Sequence, residues 1–368
     1  MEVKSYNNAN DTDNPVIQQM LNLGHEQIVF CNDSATGLKA IIGIHNTVLG
    51  PALGGTRMWS YKNELEALND VLRLSRGMTY KSAISGLNLG GGKAIIIGDA
   101  RSIKSEALMR RFGRFVDSLS GKYITAEDVG MTTRDMEYIH METKHVVGIP
   151  ESLGGSGDPS PVTAYGVYMG MKAAAKKQYG SDSLEGKRIV VQGAGNVGRN
   201  LIDSLVKEGA HIFIADMYED NLKKVTDKHP HVNVIDIDAV YTTPMDIYAP
   251  CALGATVNDD TLSKLSAQII AGAANNQLAN EKIHGEAVKQ KGIVFAPDYV
   301  INAGGIINCF SELEGYNRER AMAQTENIYN TTLEIFRVAD EENIPTYLAA
   351  NRMAERRIES IANVHRGF

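Results

Sequence analysis

Residues 188–216, "RIVVQGAGNVGRNLIDSLVKEGAHIFIAD", decide the fold of half the chain. An apolar run, Ile189 to Val191, leads into Gly193, Gly195 and Gly198, the G-x-G-x-x-G spacing, and a helical segment follows at once. A second apolar run ends in Asp216, eighteen residues after the last glycine. Each part has a physical task. The first glycine permits a tight turn, the second lets backbone approach a pyrophosphate, and the third lets helix pack close to strand, with the helix N-terminus facing the phosphate charge. Asn196 and Val197 belong to the same loop. Asp216 would accept hydrogen bonds from an adenosine ribose and repel an extra 2′-phosphate. Met217 and Tyr218 offer no cation, so the pattern favours NAD over NADP. A glycine triplet alone is weak evidence; strand, triplet, helix, strand and acid in that order indicate a dinucleotide site.

The same texture continues downstream. "MDIYAP", "QIIAGAA" and "GIVFAP" are short Val/Ile-rich strands between helical segments, the pattern of a parallel sheet with helices on both faces. The last fifty or so residues read as helical throughout. Upstream, "ESLGGSGDPSP" (151–161) is rich in Gly, Ser and Pro and reads as a linker or hinge. Ser160 is placed as an N-cap, with Pro161 at the first helical position, for a helix stopped by Gly180. Before the linker, residues 26–48 form a strand pair around the turn Asn32 to Gly37. Leu65, Leu68, Leu72 and Met78 mark a helix from about Glu64 to Ser82, "KAIIIGD" is a buried strand after a glycine turn, and Leu108, Phe112, Phe115 and Leu119 share one helix face. "KYITAEDVG" is a further strand. The fold class is therefore α/β in two domains. Residues 1–150 form an N-terminal α/β domain, with 335–368 packing back on it, and 151–334 form a Rossmann-type doubly wound domain.

At 368 residues the chain is longer than one core usually grows. With 37 basic against 44 acidic side chains and no basic stripe, a broad nucleic-acid footprint is disfavoured. The N-terminus lacks an apolar export segment, and no run approaches a membrane span, so a cytoplasmic protein is expected. Cys31, Cys251 and Cys309 form no CxxC, so neither a disulfide framework nor a zinc site is encoded. Each reads as a small buried residue, and the histidines, His229 and His231 among them, as surface residues.

A second glycine-rich stretch, "MTYKSAISGLNLGGGKAIIIGD" (78–99), holds two lysines, Lys81 and Lys93, the latter directly after three glycines. It fails as a phosphate loop. The Walker pattern needs glycine and Ser or Thr where Leu87 and Ala94 stand.

Taken together, "GPALGGTRMW", "RGMTYKSAISGLNLGGGKAIIIGD", "YITAEDVG", "SPVTAYGV", "GAGNVG", "YAPCALGATVN", "AGAANNQL" and "APDYVINAGGIIN" resemble the amino-acid dehydrogenases of the glutamate/leucine/phenylalanine/valine family over roughly residues 25–360. The resemblance implies oxidative deamination of an L-amino acid to its 2-oxo acid, with NAD as cofactor and no metal. It implies Lys93 and Asp128 as catalytic groups and Lys81 as the partner of the substrate carboxylate. Leu53, Gly54, Met78, Ala126, Ile306 and Cys309 would surround the substrate side chain. All are apolar or small, which suits leucine and other branched-chain substrates. Phenylalanine or valine is the alternative, and a non-catalytic NAD-sensing regulator a remote one. Val147 stands where the pattern often has Thr, removing a hydroxyl. Thr163 and Asn276 would lie near the nicotinamide, with Cys251, Ala252, Ala273, Asn275 and Asn302 beside them. The resemblance further implies a homo-oligomer, an octamer, with a dimer as fallback.

The chemistry requires such a set. Hydride leaves Cα only once the amine is neutral, and the resulting iminium must be attacked by water. A carboxylate beside the amine can take its proton, and a lysine at the carbonyl oxygen can stabilise developing charge or, when neutral, activate the water.

Overall fold

The computed structural model describes residues 16–365. The polar N-terminal stretch that set the expectation of a chain without an export segment lies outside that range. Among the described residues no helix is long and apolar enough to cross a membrane. The chain divides into two units. One runs up to Gly157 and takes in Glu312–Tyr316 and the chain from Glu355 onward; the other comprises Asp158–Ser311 and Asn317–Ala354.

The first unit is built on strands β1 (Gln27–Asp33), β2 (Leu38–Asn46), β3 (Ala52–Trp59), β4 (Gly90–Ile97) and β5 (Tyr123–Glu127), in the order β1-β2-β4-β3-β5. β1 and β2 form the expected antiparallel pair, and β3 runs parallel to both β4 and β5. Helices α1 (Val16–Leu23), α2 (Glu64–Ile84), α3 (Glu106–Asp117) and α4 (Thr133–His140) complete the unit. Strand alternation sends side chains to two cores. Ile41 and Ile95 pack with Leu68, Val71 and Leu72 of α2. Ala40, Ile42, Ala94 and Ile96 pack with Leu108, Phe112 and Val116 of α3 and Met136 and Ile139 of α4. Asn63 caps α2, its side chain accepting from the Glu66 N–H.

Two sequence expectations are corrected here. Gly90, Gly91 and Gly92 are not a turn before a strand; they are its first three residues. β3, read from sequence only as part of a motif, is the strand between β4 and β5.

The second unit opens with α5 (Ser160–Tyr179) and alternates β6 (Arg188–Gln192), α6 (Asn196–Lys207), β7 (His211–Ala215), α7 (Glu219–Lys228), β8 (Asn233–Val234), β9 (Ile247–Pro250), α8 (Asp259–Lys264), β10 (Ile269–Ile270), α9 (Glu281–Gln290) and β11 (Val294–Phe295). The sheet order β11-β10-β9-β6-β7-β8 is parallel throughout. The order reverses at β6, which places the switch point of a doubly wound sheet at the first glycine loop. The α5 start is one residue earlier than expected: Pro159 is the cap and Ser160 already helical, while Gly180, at φ 76°, ends the helix as read. Short helices α10 (Asp298–Ile301) and α11 (Gly304–Leu313) are followed by α12 (Arg318–Glu326), α13 (Ile328–Glu341) and α14 (Thr346–His365). After the short return at Glu312–Tyr316, the chain rejoins the first unit at Glu355, not at residue 335, because α13 packs on α5.

Candidate active site

Parity and register place the candidate catalytic residues on one sheet face. In β4, Lys93 shares the side of Gly91 and Ile95, the side that α2 covers. Cross-strand partners point the same way. Leu53 pairs with Gly91, Arg57 with Ile95, Leu53 with Ile124 and Gly55 with Ala126, so Leu53, Arg57 and Ala126 join that face, and Asp128 follows two residues after Ala126. Lys81 lies in the last turn of α2, as expected, and half-buried Met78 lies in the same helix.

Lys93, only 5% exposed, donates from Nζ to Asp128 Oδ2 at 3.0 Å. Burial of a lysine without a partner would be costly; the carboxylate makes it tolerable. Arg57 Nε donates to the same oxygen at 3.0 Å. Burial pushes the Asp128 carboxyl up, but the Lys93 ammonium and the Arg57 guanidinium more than reverse this, and it is held below the ordinary carboxylate range. The position of Asp128 is set by the backbone. The Met58 N–H donates to the Val129 carbonyl at 2.9 Å, and Gly130, at φ 81°, turns the chain where a Cβ would stand 2.2 Å from the Met58 oxygen.

The three glycines before Lys93 do not leave room for a ligand. A Cβ on Gly90 would stand 2.0 Å from the Asn46 carbonyl oxygen, on Gly91 2.1 Å from the Thr79 nitrogen of α2, and on Gly92 2.7 Å from the Tyr123 ring. Gly54 is equally constrained, its Cβ falling 1.6 Å from the Gly92 oxygen. Tyr123 Oη donates to the Gly54 carbonyl at 2.6 Å. Gly54 therefore acts through the close approach of β3 and β4, which brings Leu53 and Lys93 onto one surface. Val147 is buried.

In the second unit the glycine loop separates its three tasks as the spacing implied. Gly193 has φ 108°, and a Cβ there would meet Ala252 at 2.7 Å; Gly198's would lie 2.1 Å from the Gly193 oxygen. Gly195 has nothing within 4 Å. Open space at the second glycine, at the start of a twelve-residue helix that begins with Asn196 and Val197, fits a dinucleotide pyrophosphate. Asp216 Oδ2 accepts from the Ala194 N–H at 2.7 Å, and Oδ1 from the Tyr218 N–H at 2.8 Å. A carboxylate tied to the glycine loop is thus presented where a ribose would follow. Cys251 and Ala252 leave β9 directly against this loop.

Asn302 gathers a second group, donating from Nδ2 to the Ala273 carbonyl at 3.0 Å and to Asn275 Oδ1 at 2.8 Å. Asn276 sits at φ 53° with its carbonyl accepting from the Ala255 N–H at 2.7 Å, and Ala255 is itself at φ 58°. Two non-glycine residues in the left-handed region mark a constrained loop. Thr163 Oγ1 donates to the Pro159 carbonyl at 3.0 Å. Ile306 and Cys309 lie one turn apart on α11, the first buried and the second half-buried.

Cys31 is buried as read, whereas Cys251 and Cys309 are half-buried; burial pushes the Cys31 thiol up to about 11 and the Cys251 thiol up to about 12. The histidines depart from expectation. His231 is exposed, but His229 is half-buried against Asp203 at 2.6 Å, and His25 and His45 are buried, bonded to Ser75 and Thr79 of α2. Arg57 is the residue that sequence reasoning missed. Its only signal was its place in "GGTRMW".

A glycine-turn loop at the switch point of a parallel sheet, with a buried lysine–carboxylate pair elsewhere in the chain, is an arrangement that suits a dinucleotide-dependent oxidoreductase. Residues 25–145 match the Glu/Leu/Phe/Val dehydrogenase dimerisation domain, and residues 154–218 and 214–366 match the Glutamate/Leucine/Phenylalanine/Valine dehydrogenase domain. The chain belongs to this family of amino-acid dehydrogenases, and a nicotinamide cofactor goes with it. It is 57% identical to leucine dehydrogenase of Bacillus subtilis (strain 168), covering 91% of this chain and 92% of that one. It is 48% identical to valine dehydrogenase of Streptomyces coelicolor, covering 91% and 92%. The crystal structure of L-tryptophan dehydrogenase from Nostoc punctiforme superposes with a TM-score of 0.82 at 44% identity, over 95% of this chain and 100% of that one.

Proposed function

We propose that the chain catalyses the NAD-dependent, reversible oxidative deamination of L-leucine and other branched-chain L-amino acids to the 2-oxo acid, ammonia and NADH. The observation that carries this reading is the Lys93–Asp128 pair at 3.0 Å, on a sheet face shared with apolar Leu53 and Ala126. The higher identity to a leucine dehydrogenase than to a valine or tryptophan dehydrogenase supports the substrate class.

NAD, when bound, accepts the hydride from the substrate Cα. Gly193, Gly195 and Gly198 would admit its pyrophosphate and Asp216 its ribose, whose carboxylate disfavours a 2′-phosphate. Asp128, ionised across the working range because two cations hold it, takes the proton that the substrate ammonium must lose before hydride can leave. Lys93 then faces the carbon at which water adds, stabilising the oxygen as it gains charge and giving or taking its proton as the carbinolamine collapses. Lys81, at the end of α2, pairs with the substrate carboxylate. Leu53, Met78 and Ala126 offer no polar group to the distal side chain, which favours an aliphatic substrate over glutamate. We further propose a cytoplasmic homo-oligomer, supported by the dimerisation-domain match of residues 25–145, with an octamer as its form.

The test is direct. The protein is incubated with NAD and, separately, leucine, isoleucine, valine, phenylalanine and glutamate, and NADH absorbance is followed. Turnover is expected with the three aliphatic substrates, little with phenylalanine and none with glutamate. Absence of turnover with every aliphatic substrate overturns the reading.

A further inference from the structure

We infer that Arg57 is a positioning residue that holds Asp128 by one carboxylate oxygen, Oδ2, and so leaves Oδ1 to the substrate amine; the inference rests on the role proposed above for Asp128. Arg57 Nε and Lys93 Nζ both reach Oδ2 at 3.0 Å, and Oδ1 meets no partner among the described residues. Two donors converging on one oxygen from different strands fix the rotation of the carboxyl group. The free oxygen keeps its lone pairs, and the Asp128 side chain is 24% exposed, so it can be reached.

Arg57 is itself held from behind. Its Nη1 donates to Asp70 Oδ2 at 2.9 Å, Tyr61 Oη donates to that same oxygen at 2.8 Å, and Arg73 Nη2 donates to Asp70 Oδ1 at 2.8 Å. The planar guanidinium therefore spans two carboxylates, one on α2 and one after β5, through two nitrogens set in a rigid fork. A lysine at this position would supply the charge but not the fork. The Arg57 side chain is 23% exposed and that of Asp70 16%, so the chain of contacts is shielded from full solvent screening.

The charge of Arg57 also matters. The charged and titratable groups around Asp128 are Lys93 from β4, Arg57 from β3, its own neighbour Glu127, and Tyr123 within β5, with Asp70, Tyr61 and Arg73 beyond Arg57. Removing the Arg57 cation leaves burial opposed by Lys93 alone, so the Asp128 carboxyl titrates at higher pH. A protonated acid cannot take the amine proton, and the loss of activity then grows as pH falls.

The experiment measures kcat and KM for L-leucine from about pH 4 to about pH 9 in wild type, R57A, R57K, R57Q and D128N. R57A is expected to lower kcat about 10- to 100-fold with KM for leucine within about twofold, as for loss of a group that orients another. Its acid limb should move to higher pH, so that the loss relative to wild type deepens as pH falls. R57K should restore the limb and recover only part of kcat. Should R57A not fold, R57Q keeps a donor while losing the charge and is expected to show the same displaced limb. A variant with wild-type kcat, or with kcat lowered equally at every pH, overturns the inference. D128N separates the two claims: if it keeps wild-type turnover the role of Asp128 is wrong, and if it is inactive while R57A and R57Q match wild type, only the role of Arg57 is wrong.

Discussion

Two runs of glycine in this chain, Gly90–Gly92 and Gly193–Gly198, look alike in sequence and serve opposite ends. At all three positions of the first, the space a Cβ would take is filled by protein: the Asn46 carbonyl, the backbone of α2 and the Tyr123 ring. In the second, Gly193 and Gly198 are crowded in the same way, but Gly195 faces open space. Glycine beside protein sets how closely elements pack. Glycine beside emptiness leaves a place for something that is not protein. The first run therefore governs where Lys93 stands, and the second what can approach the loop.

The comparison breaks most sharply at Gly91. A methyl group there would stand 2.1 Å from the Thr79 nitrogen and 2.6 Å from the Ser75 oxygen, both backbone atoms of α2 that cannot rotate away. Overpacking of this kind costs about 1–3 kcal/mol where side chains can yield. With helix backbone as the obstacle, Gly91→Ala is expected at or above about 3 kcal/mol, which is a fall of roughly 6–12 °C in the melting temperature of a unit this size. Calorimetry of the protein without cofactor reads it. A melting point within a degree of wild type would show that the first run is not a packing device.

Gly195→Ala is the opposite case. Its backbone, at φ −68° and ψ −166°, is open to alanine, and no atom lies in the way, so the melting temperature should not move. Affinity for NAD should fall instead, by about tenfold in KM, since a methyl group would occupy the approach to the pyrophosphate. A variant that melted early and bound NAD normally would place Gly195 with the packing glycines and dissolve the contrast.

The second unit was legible because its signals are local. Strand, glycine turn, helix, strand and acid follow one another within about thirty residues, and each constrains the next. The first unit was less so. β3 is written "ALGGTRMW", with two glycines, a threonine and an arginine where a buried strand is expected to be uniformly apolar; its glycines are set by β4 and by the end of β5, which sequence spacing does not reveal. The same reason disguised the strand start at Gly90 as a turn. Lys93 and Asp128 were named through the family resemblance, for no periodicity joins a residue on β4 to one that follows β5. Arg57 escaped because its role exists only once register sets it beside Ile95, facing Asp70 and Asp128. His25 and His45, polar and scattered in sequence, turned out to be buried partners of α2 for the same kind of reason.

The smallest effect expected from this contrast concerns Asp216, where loop contacts and the proposed ribose contact fall on one side chain. Its carboxylate accepts from the Ala194 N–H at 2.7 Å, from the Tyr218 N–H at 2.8 Å, and from Asn221 Nδ2 at 3.3 Å on each oxygen. A carboxylate offers about four lone-pair directions, and these four contacts take them all; the two long ones from Asn221, shared between both oxygens, are those a ribose hydroxyl would displace. Asp216→Ser keeps a short acceptor beside Ala194 but removes the charge. NADP carries an added phosphate of about −2, which the charge would repel. The cation close by, Arg199, is engaged with the Ala194 carbonyl at 3.2 Å and Asn196 Oδ1 at 2.6 Å, so relief of repulsion is not accompanied by new attraction. The gain in kcat/KM for NADP should therefore stay near fivefold, about 1 kcal/mol, with a loss of similar size for NAD. Parallel initial-rate measurements with the two cofactors decide it, and a preference ratio unchanged by the substitution would mean that Asp216 serves the loop alone.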